Sequence, residues 1–461
     1  MLVKMINFVL RRLEYRKSFK KMVLFNKIFV KKEKKNSYKC GEILLEFNAM
    51  NACHIPYAYL SSILSKKFNS EIIAFAPYYS KNIFDNFKFN LKKKLNYSDF
   101  AIYKSFGTKN IFKIEINKEI MKKALNKFSS IKFQINSKKD LLSLKINNIL
   151  IGDLIYDTFL KRYDEITIHI KSQKFYDFLL EALKVFYFWE EYFQKHDVKA
   201  IHVSHTVYIL AIPLRIAIRK KIPSFQINLT HFYSLSEKDM FAYTDFKYHK
   251  KHFSELPFKI KENSKKISRE RIKKRLAGKI GVDMQYSTES SYHSFKVKSN
   301  IKQNKKLKVL IAAHCFYDNP HPYGDTIFPD MYEWLLFLNE ISKKTNYDWY
   351  IKSHADYIPK TRKKLKIFVK KYKNFTLLPE DISHHQIISE GINFALTVHG
   401  TIGFEYAYFG VPVINASQNN PHILYDFNIH AKNIEDYRKL LLNLNKLKIK
   451  VNKNEIYEFY Y

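Results

Sequence analysis

The sequence predicts an α/β protein with two successive lobes that face each other across a central cleft, each lobe built on a doubly wound parallel sheet. Apolar strand-like runs alternate with helical segments, as in Glu42–Phe47, Pro56–Lys67 and Ile72–Phe75. A second alternation starts at Lys308–Ala313, after a charged stretch that is poor in apolar residues. The length of 461 residues also favours two domains.

These changes in composition divide the chain into five predicted segments. They are a basic amphipathic N-terminal segment (1–38), an N-terminal α/β domain (39–253), a charged connector (254–306), a C-terminal α/β domain (307–433), and a C-terminal helix and tail (434–461). In the first segment, apolar residues alternate with arginine and lysine. Two interpretations fit this pattern: a helix lying on an anionic membrane surface, or a helix packed on the body with a solvated basic face.

The overall charge is strongly basic, with 80 Lys and Arg against 43 Asp and Glu, a formal net charge of +37. Such a surface favours anionic partners, including phosphates, nucleotides, acidic glycans and lipid headgroups. We expect no nucleic acid partner, because the sequence contains no zinc-finger spacing, RNP-like motif or arginine-rich arm.

Cysteine content and hydropathy predict a cytoplasmic protein. Three cysteines in a long chain indicate free thiols in a reducing compartment, and their spacing fits no zinc site. No convincing signal peptide and no run of 18 apolar residues are present. Peripheral association with the inner face of the cytoplasmic membrane is the alternative that the basic N-terminal segment keeps open.

The most informative motif runs from Thr397 to Glu405, where a buried strand meets a glycine-bearing turn and then a helix. Backbone amides at a helix start suit a phosphate, and a carboxylate one turn later can bind ribose hydroxyls. The predicted donor site therefore uses Glu405 and the backbone of Gly400, Thr401, Ile402 and Gly403. The alternative is an ordinary turn whose glycines relieve crowding.

Polar residues also follow the other predicted strands of the C-terminal domain. His314 ends one strand, Lys352 and His354 end the next, and His399 ends a later one. Since ligands bind at the carboxyl ends of parallel strands, we expect these residues to share a site. Lys352 and His354 would neutralise a nucleotide phosphate, and His314 and His399 are predicted catalytic residues.

The N-terminal domain supplies candidates for a general base. Glu46 and His54 belong to the first strand and the loop that follows it, and Asp153 and Asp157 belong to a second polar cluster. Each could equally be a loop cap or a hydrogen-bond anchor.

Several motifs are missing from the sequence, and their absence limits the chemistry. There is no Asp-x-Asp pair, no Gly-x4-Gly-Lys-Ser/Thr loop, no Gly-x-Gly-x-x-Gly after the first strand and no Gly-x-Ser-x-Gly. These absences predict a site without a metal ion or cofactor, in which a helix dipole and basic side chains stabilise phosphate charge.

The segments Ala313–His321, Asp348–His354 and His399–Thr401 with Glu405 resemble bacterial capsule and surface-polysaccharide biosynthesis proteins, which are related to GT-B glycosyltransferases. The resemblance is most specific over about residues 308–420. It implies two Rossmann-like lobes, with a nucleotide-sugar donor in the C-terminal lobe and a glycan or lipid-linked sugar acceptor in the N-terminal lobe. One departure is Ala355, where such proteins commonly carry proline.

The sequence therefore predicts a metal-independent glycosyltransferase of capsule or lipopolysaccharide biosynthesis. One alternative is another enzyme on the same fold, either a nucleotide-sugar epimerase or a transferase that moves a polyol phosphate from a CDP-linked donor. The other is a non-enzymatic basic protein that binds polyanions or membranes.

Overall fold

The alternating apolar runs form strands of two separate sheets in a computed structural model of the protein. The structure describes residues 17–28, 40–48, 50–76, 83–228, 230–282, 289–354, 359–447 and 451–461. The contacts of the described residues define two units. Unit 1 comprises the residues up to Tyr156 together with Ile170–Ala242, and unit 2 comprises Asp157–His169 and Tyr243–Tyr461.

The strands are short, as expected for buried parallel sheets. They are β1 (Glu42–Glu46), β2 (Glu71–Phe75), β3 (Thr108–Phe112), β4 (Lys145–Ile146), β5 (Ile149–Leu150), β6 (Val198–Val203), β7 (Ser224–Ile227), β8 (Phe232–Leu235), β9 (Lys308–Ala313), β10 (Asp348–Ser353), β11 (Phe375–Leu377), β12 (Phe394–Thr397), β13 (Val413–Asn415) and β14 (Ile429–His430).

Helices connect most of these strands. They are α1 (17–28), α2 (Asn51–Lys67), α3 (Ile83–Lys94), α4 (Asp99–Ser105), α5 (Lys118–Ile131), α6 (Lys138–Leu142), α7 (Gly152–Tyr163), α8 (Gln173–Lys195), α9 (Ile212–Arg219), α10 (Phe246–Glu255), α11 (Phe258–Leu276), α12 (Met331–Ser342), α13 (Pro359–Lys371), α14 (His384–Ser389), α15 (Ile402–Tyr408), α16 (Ile434–Leu442) and α17 (Lys453–Tyr460).

Both units use the same strand order. The sheet of unit 1 runs β3-β2-β1-β6-β7-β8, and that of unit 2 runs β11-β10-β9-β12-β13-β14. Apart from the small β4-β5 ribbon, each is the order 3-2-1-4-5-6 of a dinucleotide-binding fold. All pairs in unit 2 are parallel, whereas β8 of unit 1 is antiparallel. The predicted α/β class with two Rossmann-like, doubly wound sheets is confirmed.

Alternate side chains of the unit 2 strands enter two different cores. Val309 and Ile311 belong to one apolar cluster, while Leu310 belongs to the cluster on the opposite face of the sheet. A strand that is buried on both faces needs an uninterrupted apolar run, which explains the sequence of β9. Unit 1 is built in the same way, with Leu45 and Ile72 in one cluster and Phe75 packed against Trp189 of α8 at 4.8 Å.

The predicted charged connector (254–306) differs from the structure, because α11 is an integral helix of unit 2. It buries Ser264, Ser268, Ile272 and Leu276, one narrow stripe at four-residue spacing. The stripe contains only two large apolar residues, so the segment resembles a linker in composition. Ile272 and Leu276 contribute to the same core cluster as Ile456 of α17, a helix within the predicted tail.

Residues 157–169 also differ from the predicted boundaries, since they belong to unit 2 and not to the N-terminal domain. Asp157 contacts His321 with 2.6 Å between a carboxylate oxygen and Nδ1, and both side chains are buried. Thr167 donates a hydrogen bond of 2.6 Å to Asp330. The division between the units therefore falls within α7.

The predicted N-terminal segment (1–38) is described only over α1. Phe19, Met22 and Val23 of this helix pack against the core of unit 1, and buried Asn26 donates a hydrogen bond of 3.0 Å to Ser105. Its other face remains exposed. None of the helices in the described part of the chain is both long enough and apolar enough to cross a membrane.

Candidate functional site

A cavity of about 320 Å³ lies in unit 2 at the carboxyl end of its sheet. Its wall includes residues that follow β9, β10 and β12, and it also contains residues from the end of α11 and the loop after it. The strand order reverses between β9 and β12, so the cavity lies at the topological switch point, where open α/β sheets bind ligands.

His314 is fixed at this switch point by a chain of hydrogen bonds. Its Nε2 lies 3.0 Å from Thr397 Oγ1 and 3.2 Å from the backbone nitrogen of Val398, which is a donor. Gly400 N–H donates to the same Thr397 oxygen at 3.0 Å, which directs the hydroxyl hydrogen towards His314. Nε2 therefore acts as an acceptor and the proton of the neutral ring is on Nδ1.

Burial keeps this imidazole neutral. It holds the pKa of His314 well below its ordinary value, and the neighbouring His399 and His354 lower it further. With Nε2 occupied, His314 has no acceptor atom for a substrate proton. The geometry makes it a hydrogen-bond donor through Nδ1.

His399 lines the cavity beside His314, with ring centroids 4.6 Å apart. The edge of its neighbour Tyr323 approaches at 5.3 Å in a nearly perpendicular arrangement. Burial, with repulsion from His321, lowers the pKa of His399 to about 4. Nδ1 of His399 has no hydrogen-bond partner within the described ranges. A neutral, partly unpartnered imidazole is thus placed in the wall of the cavity.

Lys352 supplies a buried amine to the same cavity. Its side chain is 3% exposed, and Nζ donates to the backbone oxygen of Glu380 at 3.2 Å. Burial lowers the pKa of this amine to about 8, and the Arg362 guanidinium adds to the shift. The amine is still mostly protonated at neutral pH, so an anion in the cavity would pair with it. His354 lines the cavity on the same strand exit and is exposed.

Glu405 lies in the wall of the cavity, but protein groups already bind both of its oxygens. Arg275 contacts Oε1 through Nε at 2.8 Å and Nη2 at 2.6 Å, and Tyr292 donates to Oε2 at 2.9 Å. The carboxylate is 4% exposed. Its clearest role is to hold Arg275 and Tyr292 in place, which differs from the predicted direct contact with ribose.

The helix start also differs in detail from the predicted amide cradle. Gly400 N–H is bonded to Thr397, and Gly403 N–H donates to the Gly400 oxygen at 3.1 Å. A Cβ atom at Gly403 would lie 2.5 Å from His422, and one at Gly400 would lie 2.8 Å from the Thr397 hydroxyl. Close packing therefore accounts for both glycines, in agreement with the alternative that they relieve crowding.

The neighbouring residues of this turn nevertheless line the cavity. Thr401 and Ile402 are both part of its wall, and the Thr401 hydroxyl lies 3.4 Å from Arg275 Nη2. Helix α15 begins at Ile402, immediately after the turn, where the sequence predicts it. Since α15 has only seven residues, its dipole is a minor source of positive charge beside Lys352 and Arg275.

Glu46, a predicted base in unit 1, is the centre of a closed network at the switch point of that sheet. Ser204 donates to one oxygen through its backbone N–H and its hydroxyl, both at 2.7 Å, and Tyr57 donates to the same oxygen at 3.2 Å. Asn48 donates to the other oxygen at 3.1 Å. Glu46 is 3% exposed, so this geometry favours the alternative of a hydrogen-bond anchor.

His54 and Asp153 are likewise engaged inside unit 1. His54 is 2% exposed, its Nε2 lies 2.9 Å from the Asn48 carbonyl oxygen, and burial lowers its pKa. Asp153 forms a buried ion pair with Arg215 at 2.6 Å. Neither side chain is placed to take a proton from a substrate in this conformation, and Asp157 is paired with His321 in unit 2.

Sequence reasoning missed several residues of the cavity wall, among them Arg275, Tyr292 and His384. His384 follows β11 after a short turn, so the rule that selected the other strand-end residues could have found it. Arg275 and Tyr292 lie in the segment with the composition of a linker, and no local pattern distinguishes Arg275 from the basic residues around it. Among the described residues, no group of three or more His, Cys, Asp or Glu could hold a metal ion.

No protein-family model and no curated protein sequence matches this chain. Three of the similar solved structures are two transferases and an epimerase. The beta Kdo 2,4 transferase KpsC from Thermosulfurimonas dismutans has a TM-score of 0.35 at 12% identity, covering 57% of this chain and 80% of its own. The UDP-GlcNAc 2-epimerase from Neisseria meningitidis, bound to UDP-GlcNAc, has a TM-score of 0.26 at 11% identity and covers 90% and 97%.

The third is a ugt transferase from Siraitia grosvenorii in complex with UDP, with a TM-score of 0.23 at 9% identity and coverage of 91% and 93%. Likenesses of this strength do not indicate an activity for this chain. The assignment of the fold rests instead on the order and direction of its own strands.

Proposed function

We propose that the protein is a glycosyltransferase that moves a sugar from a nucleotide-sugar donor to a glycan or lipid-linked acceptor in the biosynthesis of a surface polysaccharide. The observation that carries the proposal is the cavity at the β9/β12 switch point, lined by buried Lys352 and two neutral imidazoles. The acceptor would bind to unit 1.

The size and lining of the cavity suit the nucleotide part of such a donor. A volume of about 320 Å³ lies at the lower end of the range for ligand pockets. Apolar residues such as Ala312, Ala313 and Ile402 alternate in the wall with hydroxyl groups and basic side chains. This mixture would bury a nucleoside while polar groups orient it.

The basic side chains suit a diphosphate. Lys352 is a nearly fully buried cation, so its attraction to a phosphate is screened less than that of a surface lysine. Arg275 reaches the cavity while Glu405 neutralises part of its charge. Lys279 adds an exposed cation to the same wall.

The neutral imidazoles would act on the leaving group. As the bond from the sugar to the phosphate breaks, negative charge develops on the departing phosphate oxygen. The Nδ1–H of His314 would donate a hydrogen bond to that charge, and Lys352 would stabilise it electrostatically. His399, beside His314 in the same wall, would orient the sugar or the phosphate. Metal chemistry is not part of this proposal.

The proposal leaves the general base unassigned. Glu46, His54 and Asp153 are buried and engaged, so we give them structural roles in unit 1. Glu405 is given the role of positioning Arg275 and Tyr292, which in turn shape the cavity.

The first experiment is a thermal-shift and calorimetric screen with UDP, GDP, CMP and CDP. Binding by at least one of these nucleotides is expected, since a ligand of the folded state raises the melting temperature. The same nucleotide linked to a sugar then identifies the reaction. Donor turnover that needs no acceptor would indicate an epimerase, and indifference to every nucleotide would contradict the proposal.

A further inference from the structure

Helices α1, α2 and α3 of unit 1 expose an unusual number of large apolar side chains. We define the α1–α3 surface by nine of them: Leu24, Phe25, Ile28, Ile55, Tyr59, Ile63, Phe84, Phe87 and Leu91. All are at least 45% exposed, and Phe84 is 80% exposed. Scattered apolar residues are normal on a protein surface, but nine of them on three helices that share one core cluster indicate a binding face.

The exposed residues follow the helical period on each helix. In α2, Ile55, Tyr59 and Ile63 are spaced by four residues, and in α3, Phe84, Phe87 and Leu91 are spaced by three and four. Residues at these spacings share one side of a helix. Each helix therefore carries an outward apolar stripe in addition to the residues that face the core.

One core cluster joins these helices into a layer. Phe19 and Met22 of α1, Tyr57 of α2 and Phe89 of α3 all pack in the cluster around Leu45 and Phe100. Their inner faces are thus fixed on the same side of the unit 1 sheet. The outward stripes consequently belong to the outer side of a single helical layer.

Lysine is the dominant charged residue of the surface. Helix α1 carries Lys17, Lys20, Lys21 and Lys27 and no acid, and α3 carries Lys88, Lys92, Lys93 and Lys94 with Asp85 as its one acid. Neither helix contains arginine. Lysines flanking exposed Phe, Leu and Ile are the composition of helices that lie in a membrane interface.

We propose that the α1–α3 surface binds the face of a lipid bilayer that contains anionic lipid. The apolar side chains would enter the headgroup region, and the lysine ammonium groups would pair with lipid phosphates. The membrane contact does not depend on the proposed reaction, because none of the residues of the α1–α3 surface lines the unit 2 cavity.

The charge of the surface argues against two other occupants. A second copy of the same face would bring eight further lysines against the first eight, so self-association is disfavoured. Nucleic acid would pair with the lysines but would leave Leu24, Ile28 and Leu91 without a favourable environment. An anionic bilayer satisfies both the charge and the apolar area.

Co-sedimentation with vesicles tests the proposal on the full chain. The vesicles contain phosphatidylcholine alone or phosphatidylcholine mixed with phosphatidylglycerol. We expect the wild type to bind the mixed vesicles and to bind phosphatidylcholine weakly. The double variant Phe84→Ser/Phe87→Ser should partition into the mixed vesicles about 100-fold less strongly, since two aromatic side chains would no longer be buried in the bilayer interface.

The matched control removes two equally exposed phenylalanines outside the surface. Phe133 is 74% and Phe258 is 79% exposed, and Phe133→Ser/Phe258→Ser should bind vesicles like the wild type. Since all four side chains are exposed, the variants should keep the fold, which circular dichroism can check. Equal loss in both double variants would overturn the proposal.

A second pair of variants separates local charge from net charge. Lys88→Gln/Lys92→Gln/Lys94→Gln should weaken binding to the mixed vesicles by about ten-fold or more. The triple variant Lys363→Gln/Lys366→Gln/Lys370→Gln removes the same charge from α13 of unit 2 and should bind like the wild type. If the two triple variants lose equally, adsorption is driven by the overall charge and the proposal fails.

Heparin and sedimentation velocity identify the rival occupants. Heparin binding should be weakened by the α3 lysine variant and not by Phe84→Ser/Phe87→Ser, because a soluble polyanion has no apolar phase. If vesicle binding shows this same insensitivity to the phenylalanines, the site is a polyanion site and not a membrane site. Conversion of a wild-type dimer into a monomer by Phe84→Ser/Phe87→Ser would make the surface a protein interface.

Discussion

Units 1 and 2 share one strand order but differ in what fills the switch point of the sheet. In unit 1, Glu46 and Ser204 lie at the carboxyl ends of the two central strands and form a buried network with Tyr57. In unit 2, His314 and His399 occupy the equivalent strand ends and line a cavity. The same strand order thus supports a buried network around one carboxylate in unit 1 and a cavity lined by basic side chains in unit 2.

The difference shows that a polar residue at the end of a strand can either join a buried hydrogen-bond network or line a cavity. When neighbouring elements supply enough donors, as around Glu46, the polar group becomes part of the core. When they do not, as around His399, one polar atom of the group remains without a hydrogen-bond partner among the described residues. Strand-end position alone therefore does not distinguish an anchor from a binding residue.

The largest expected effect comes from the buried cation of unit 2. Lys352→Gln should weaken nucleotide-donor binding by about 10- to 100-fold, the usual effect of losing a charged hydrogen-bond partner. Lys308 is the matched control, because it is a buried lysine at the opposite end of the neighbouring strand. Calorimetry on both variants checks the prediction, and equal losses would show that the effect is structural.

Next in size is the removal of the central carboxylate of unit 1. Glu46→Gln should lower the free energy of unfolding by about 1.5–3 kcal/mol, because in either orientation its amide NH₂ would face a donor, the Asn48 amide or the Ser204 and Tyr57 groups. Donor affinity should stay unchanged. Chemical denaturation measures the loss, with the more exposed Glu71→Gln as the control. A stable Glu46→Gln protein with no turnover would instead support the original prediction of a catalytic base.

The pH dependence of donor affinity tests the role of Lys352 in the unit 2 cavity. The pKa of Lys352 is about 8, so the amine is charged below that pH and neutral above it. A bound diphosphate stabilises the charged form and raises this pKa, so donor affinity should fall by up to about ten-fold per pH unit above pH 8. Lys352→Gln should bind weakly at every pH without this decline. A wild-type affinity that stays constant to pH 10 would contradict the assignment of Lys352.

The smallest effect is expected for Gly403, at the start of α15 in unit 2. In Gly403→Ala the new methyl would lie 2.5 Å from the His422 ring, so the free energy of unfolding should fall by roughly 1–2 kcal/mol. Donor affinity should be unchanged where the variant is folded. Loss of donor binding without loss of stability would instead support the prediction that the Gly403 backbone binds the donor phosphate.

Much of the fold could be predicted because parallel strands carry a strong local signal. The apolar runs of β1 and β9 are buried on both faces, and their predicted ends lie within one residue of the observed ones. Helix α2 was less predictable, since it starts at Asn51, five residues before the expected Pro56. Burial of Cys53 and His54 in the core overrides the usual preference for proline in the first helical turn.

The cavity was only partly predictable. His314, Lys352 and His399 follow strands and were selected for that reason, and the structure brings them to one wall. Arg275 and Tyr292 reach the same wall although they lie 130 and 113 residues from their partner Glu405 in the sequence. Pairing across such a distance depends on how α11 packs, which no local pattern encodes.

Local sequence patterns are enough to predict the α/β class, the two sheets and the strand ends that bear polar residues, because continuous apolar runs and glycine or proline breaks act locally. Only the tertiary structure decided which of those polar groups are satisfied. It closed Glu46 among Ser204, Asn48 and Tyr57, and it placed His399 in the wall of the cavity that buried Lys352 also lines. The physical reason is that hydrogen-bond satisfaction and desolvation depend on neighbours from distant parts of the chain.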